Sequence, residues 1–318
     1  MMKTKPTLTI PIFQKVYIPH IWKTPVIIAV LLLEELLKHS KMSARKGAYS
    51  LFDLMRFLCV HTGNVVLVKR GSYIEGERYI ALWPDPHCVG SYTDTYLNSL
   101  GIASIPKLLL KLAKKLRELI SECINVDETN GNTERFLSRL NVLEEGFFQL
   151  IDNREIALMC RKLKATKGDI CLNHLGNNIS IVFQNAQFVR GENLLFTGDL
   201  EKEFLSKIES NYDKKYQLYP TYDFIKVPHH GTKGNKDEHY FDFKPYNPKC
   251  FMIPNGRVHG IKGNWQTCKK YGNDINLKGA KAICSNSDFC ENNSGRCFVT
   301  CLCTKRQFVF PNKCLKVT

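Results

Sequence analysis

The chain has 318 residues, 44% hydrophobic and 24% charged, a globular balance that excludes a disordered, collagen-like or low-complexity protein. Lysine and arginine outnumber the acids 45 to 30, and the net charge of +15 attracts polyanions, so nucleic acid or another polyanion is the expected partner. The thirteen cysteines are too sparse for a disulfide scaffold and odd in number, which points to free thiols in a reducing cytoplasm.

Residues 12–19 (IFQKVYIP) read as a strand closed by proline. The run at 26–33 has eight apolar residues, too few for a bilayer that needs about twenty. Pro19, Trp22 and Pro25 precede it, which does not suit a signal peptide. It reads instead as the buried face of a core helix continuing to Lys38, with no membrane role. A helix over 49–60, a strand over 64–68 and a strand over 79–84 follow, and this succession predicts an α/β fold. Residues 105–163 are helical in character. In 107–124 the stripe Leu108, Leu112, Leu116 (or Leu119) and Cys123 faces inward, opposite Lys111, Lys114, Lys115 and Arg117. A turn-rich loop over 125–132 separates this helix from a second one over 133–159, and the whole excursion is expected to cover the sheet or the site.

The stretch 193–231 carries the chemistry. Two apolar runs, 194–197 and 223–227, flank a helical segment at 201–209 with Phe204, Leu205 and Ile208 at helical spacing. The first run ends in Gly198-Asp199 and the second in His229-His230-Gly231, so oxygen and imidazole ligands suited to zinc or manganese stand at strand ends, where open α/β sheets build sites. Upstream lies 177–183 (NNISIVF), with Asn178 and Ser180, which is expected to be a strand entered from the loop holding His174. Downstream, 249–254 is strand-like and leads to 253–260 (IPNGRVHG) with His259. Residues 280–284 and 296–310 supply closing strands. The tail gathers Cys284, Cys290, Cys297, Cys301, Cys303 and Cys314 without a C-x-x-C knuckle, and Cys301 and Cys303 read as one face of a strand.

In this order, N-x-S-I-V, L-x-T-G-D, K-V-x-H-H-G-T and the I-P-N-G segment with its late His resemble the metallo-β-lactamase superfamily, in particular the branch like the hydrolase domain of bacterial DNA-uptake channel proteins. The resemblance covers roughly residues 65–309 and implies one α/β domain over 1–318, an αββα sandwich with two packed sheets and a helical insertion at about 105–163. It implies that Asp199 bridges metals, that His229 or His230 ligates one, and that His259 contacts substrate or leaving group. Asn178, Ser180 and Gly231 would support the site. The family's principal motif, H-x-H-x-D-H, is absent: His20, His39, His61, His87 and His174 precede the core stretch, and no two of them lie within three positions of each other. The expectation is therefore an N-terminally incomplete domain that retains zinc or manganese poorly by itself. Two functions follow. One is a metal-dependent hydrolase of phosphodiesterase or nuclease type, its missing motif supplied by another segment or chain. The other is a truncated or degenerate member that binds polyanions without catalysis.

Overall fold

The computed structural model describes residues 13–20, 24–39, 50–124, 132–167, 174–229, 241–254, 281–284, 297–298, 308–310 and 313–315. The chain divides into two compact units interleaved in sequence, Met1–Val68 with Pro86–Gly176, and Lys69–Asp85 with Asn177–Thr318. The fold is mixed α/β.

The first unit holds β1 (Val16–Pro19), α1 (Pro25–His39), α2 (Leu51–His61), β2 (Val65–Val68), α3 (Pro86–Ser99), α4 (Lys107–Ile124), α5 (Asn132–Gln149) and α6 (Arg154–Lys167). Strands β1 and β2 pair in parallel, Val16 opposite Val65. Helix α1, with Ile28, Val30, Leu32 and Leu36 buried, packs against α3 and α4. No helix among the described residues is long and apolar enough to cross a membrane. In α4 the buried residues are Leu109, Leu112, Ala113, Leu116, Leu119 and Ile120, whereas Leu108, expected inside, is exposed. Both sets contain Leu112 and Leu116. Contact with α1 and with α5 selects the one that turns Leu109 inward.

Helix α2 starts at a capping box: Asp53 N–H donates to Ser50 Oγ at 3.0 Å, and Ser50 N–H donates to the Asp53 carboxylate at 2.9 Å. It packs on α5 through Phe52 and Phe147, whose ring centroids lie 5.4 Å apart, and through an Arg56–Glu144 ion pair. The helix expected unbroken over 133–159 is divided between α5 and α6. The cause is Asn153, whose Oδ1 accepts the Glu155 and Ile156 N–H groups at 3.1 and 3.2 Å and starts a new helix.

The second unit receives the chain from α7 (His174–Asn178) and contains β3 (Tyr73–Ile74), β4 (Tyr79–Trp83), β5 (Val182–Asn185), β6 (Leu194–Phe196), α8 (Lys202–Ser210), β7 (Phe224–Lys226), β8 (Cys250–Ile253), β9 (Lys281–Cys284) and β10 (Cys297–Phe298). These strands form one eight-stranded sheet in the order β10-β9-β8-β7-β6-β5-β4-β3; β11 (Phe308–Phe310) and β12 (Lys313–Leu315) make a separate antiparallel pair. Pairing is antiparallel from β3 to β6 and parallel from β6 to β10. Where two packed sheets were expected, the β5–β6 pairing carries the hydrogen-bond ladder without a break from the antiparallel half into the parallel half. Among the described residues these eight strands form one continuous sheet, while β1–β2 and β11–β12 are two-stranded pairs of their own.

One face of this sheet buries Leu195 and Ile225 with Phe204, Leu205 and Ile208 of α8, and Trp83 packs on Phe204 at 5.0 Å. On the other face Tyr79, Phe183, Phe196 and Phe224 touch in succession across four neighbouring strands, at centroid spacings of 5.5, 4.8 and 5.6 Å.

Candidate functional site

Strands β6 and β7 run parallel in the register Leu194–Phe224, Leu195–Ile225 and Phe196–Lys226, so both deliver their next residues to one edge of the sheet. The chain leaves β6 as Thr197-Gly198-Asp199 and leaves β7 as Val227-Pro228-His229. Backbone and side chain tie the two exits together: Thr197 Oγ1 donates to Lys226 O at 2.6 Å, and His229 N–H donates to Gly198 O at 3.3 Å. The entry to β5 joins them, since Asp199 N–H donates to Ser180 Oγ at 3.0 Å. His229 has φ of +46°, a left-handed backbone that few side chains adopt and that histidine tolerates better than most.

Gly198 also lies at positive φ, +55°, and a Cβ there would stand 2.6 Å from Ser180 Cβ and 3.1 Å from Ile181 O. Gly198→Ala is therefore expected to destabilise the protein by roughly 2 kcal/mol or more, combining left-handed strain with overpacking. Gly191 shares the positive φ, at +91°, but has nothing within 4 Å of a built Cβ, so Gly191→Ala carries the strain alone and should cost about 1 kcal/mol. Urea midpoints of the two variants check this. Equal losses would show that the approach to Ser180 is not tight.

Lys226 is the residue at this edge to which the sequence reading assigned no role. Its ammonium is mostly buried and donates to Gly198 O and, at 3.3 Å, to Asp199 Oδ1. Burial pulls its pKa below the ordinary lysine value, and the Asp199 carboxylate pulls the other way. A lysine between the apolar residues Ile225 and Val227 was the available signal. Glu201 is a second omission: its carboxylate accepts from Asn178 Nδ2 at 3.2 Å.

Asn178 differs from expectation in its backbone. It ends α7 rather than beginning a strand, because Ser180 N–H closes a turn onto Asn177 O at 3.0 Å and β5 starts only at Val182. Asn178 is fully buried. Its carbonyl oxygen accepts from Trp83 Nε1 at 2.7 Å, and its side-chain Oδ1 has no hydrogen-bond partner.

His230, Gly231 and His259 lie outside the described residues, as do His239, most of the loop at 125–132, and Cys301 and Cys303. Strand β8 is parallel to β7, so its C-terminal end lies at the same edge of the sheet. Asp199 and His229 offer a carboxylate and an imidazole, donor types that zinc and manganese accept. Among the described residues no group of three or more His, Cys, Asp or Glu side chains gathers to hold a metal ion. A catalytic zinc takes three protein ligands, so the described donors do not complete a metal site. No protein-family model matches the chain, and neither does any curated protein or solved structure.

Proposed function

We propose that this chain is a metal-dependent hydrolase domain of metallo-β-lactamase type, acting on phosphodiesters, with an incomplete metal site. One observation carries the reading: Asp199 and His229 leave adjacent parallel strands at one edge and are linked through the His229 N–H to Gly198 O bond of 3.3 Å. Asp199 and either His229 or His230 would be ligands, His259 would face the substrate, and Asn178, Ser180 and Gly231 would shape the strand ends. Bound zinc or manganese would supply a hydroxide near neutral pH. The order of the four sequence segments supports the assignment, and the surplus of positive charge suits a nucleic-acid substrate.

The chain by itself should retain little zinc or manganese after dialysis and hydrolyse bis(p-nitrophenyl) phosphate and DNA at background rates. Supplying an H-x-H-x-D-H segment, as an extension or a second chain, should raise metal content and hydrolysis together, and Asp199→Ala should abolish both gains. Stoichiometric metal and fast hydrolysis by the unmodified chain, unchanged in Asp199→Ala, would place the chemistry elsewhere.

The Lys226 contact with Asp199 favours a second reading, a polyanion-binding module without catalysis. There the ammonium takes the place of a metal at the strand ends. Lys226→Met would then weaken the fold, whether or not metal is added, and the supplied segment would restore nothing.

A further inference from the structure

We propose that the turn following α8 is a binding platform for single-stranded nucleic acid, built from Tyr212, Lys214, Lys215 and Tyr216 around the buried guanidinium of Arg70. The Arg70 side chain is only 3% exposed, and it donates to Asp213 from Nε at 2.8 Å and from Nη2 at 2.7 Å. Its Cζ lies 5.1 Å from the Tyr212 ring centroid and 5.6 Å from that of Tyr216, so one cation orders both rings. The Tyr212 hydroxyl is further held by the Asp85 carboxylate. Yet Tyr212 and Tyr216 remain 39% and 37% exposed, and Phe188, which meets Tyr219 farther along the same run at 5.4 Å, is 47% exposed.

Aromatic rings already fixed in place lose little conformational freedom when a base stacks on them, and every base offers a π face. The exposed Lys214 and Lys215 stand between the two tyrosines, where a phosphate backbone spanning stacked bases would run. Among the described residues, the carboxylates bonded to Arg70 and Tyr212 are Asp213, offset by Arg70, and Asp85, which accepts the Tyr212 hydroxyl. Two lysines therefore lie beside rings that duplex DNA, with its bases already stacked, could not use. None of these residues belongs to the Asp199–His229 edge, so the proposal stands apart from hydrolysis.

The test is fluorescence anisotropy of a short labelled oligothymidylate with the full chain in EDTA, across a salt series. Wild type should bind it more tightly than a duplex of equal length. The double variant Lys214→Glu/Lys215→Glu should weaken binding at least tenfold and flatten the salt dependence, losing roughly 0.7 of log-log slope per phosphate contact. Tyr216→Leu should lose roughly tenfold with little change in slope. Tyr212→Leu, at the other ring over Arg70, serves as the second aromatic test if Tyr216→Leu proves unstable in urea. Wild-type affinity in the lysine pair, or in whichever aromatic variant is folded, would overturn the platform. So would equal affinity for duplex, or competition by polyglutamate as effective as that by oligothymidylate.

Discussion

Asp213→Ala should destabilise the protein by roughly 3 kcal/mol, because it strips the counter-charge from a guanidinium that cannot reach water. Arg70 keeps its bonds to Leu82 O at 2.8 Å and Tyr216 O at 3.3 Å after the substitution, but loses both charge-assisted contacts to the carboxylate. Asp213 itself is partly exposed, which keeps the loss at the lower end of what breaking a buried pair costs. Asp213→Asn retains hydrogen-bonding capacity without the charge and should lie between alanine and wild type. The acid limb provides a second readout. Hydrogen bonding to Arg70 holds the Asp213 carboxyl down at about 2, below its ordinary value of 3.8. A pKa lowered by folding contributes stability that is present above the unfolded value and is lost as pH falls through the folded one. Wild type should thus lose this contribution between about pH 4 and pH 2, and Asp213→Ala should lack that part of the slope. Urea unfolding at a series of pH values measures both. A variant as stable as wild type at pH 7 would show that the ion pair is not formed.

Trp83→Ala should cost roughly 3–5 kcal/mol, the range for emptying a large aromatic from a packed core. Trp83 has no exposed surface and meets Phe204 of α8 at 5.0 Å, so truncation opens a cavity between the sheet and the helix that follows β6. Trp83→Phe should lose about 1–2 kcal/mol, mainly by leaving the buried Asn178 carbonyl without its indole donor. The two variants separate packing from hydrogen bonding. They also bear on the site, since Asn178 lies two residues before Ser180, whose Oγ fixes the Asp199 backbone. Trp83→Phe should weaken that edge more than its loss of volume alone accounts for. Amide exchange at Asp199, faster in Trp83→Phe than in wild type, is the expected sign, and unchanged protection there would disconnect the two.

The β6-α8-β7 unit was legible almost to the residue. The apolar runs at 194–197 and 223–227 and the helical spacing of Phe204, Leu205 and Ile208 match Leu194–Phe196, Phe224–Lys226 and Lys202–Ser210. Local periodicity bounded by Gly198 and Pro228 carries enough information for such a unit. Helix α3 escaped notice although Val89, Thr93, Tyr96 and Leu97 are buried at helical spacing, because polar and β-branched residues between them mask the stripe. The end of α5 escaped for a different reason: Asn153 caps the next helix with its side chain, a competition that apolar spacing does not register.

By itself the sequence determined the α/β class, most element positions and the placing of Asp199 and His229 just beyond strands, since these follow from contacts among near neighbours in the chain. The tertiary structure alone decided how those strands pair. It joined β6 to β7 in a parallel register that brings Gly198 O to the His229 N–H, and ran the antiparallel and parallel halves into one sheet. It also decided which charges meet: Lys226 with Asp199 across 27 residues, and Arg70 with Asp213 across 143. Such pairs leave no trace in local pattern, because each side chain reads as an ordinary surface ion until folding removes its water and only the partner remains to replace it.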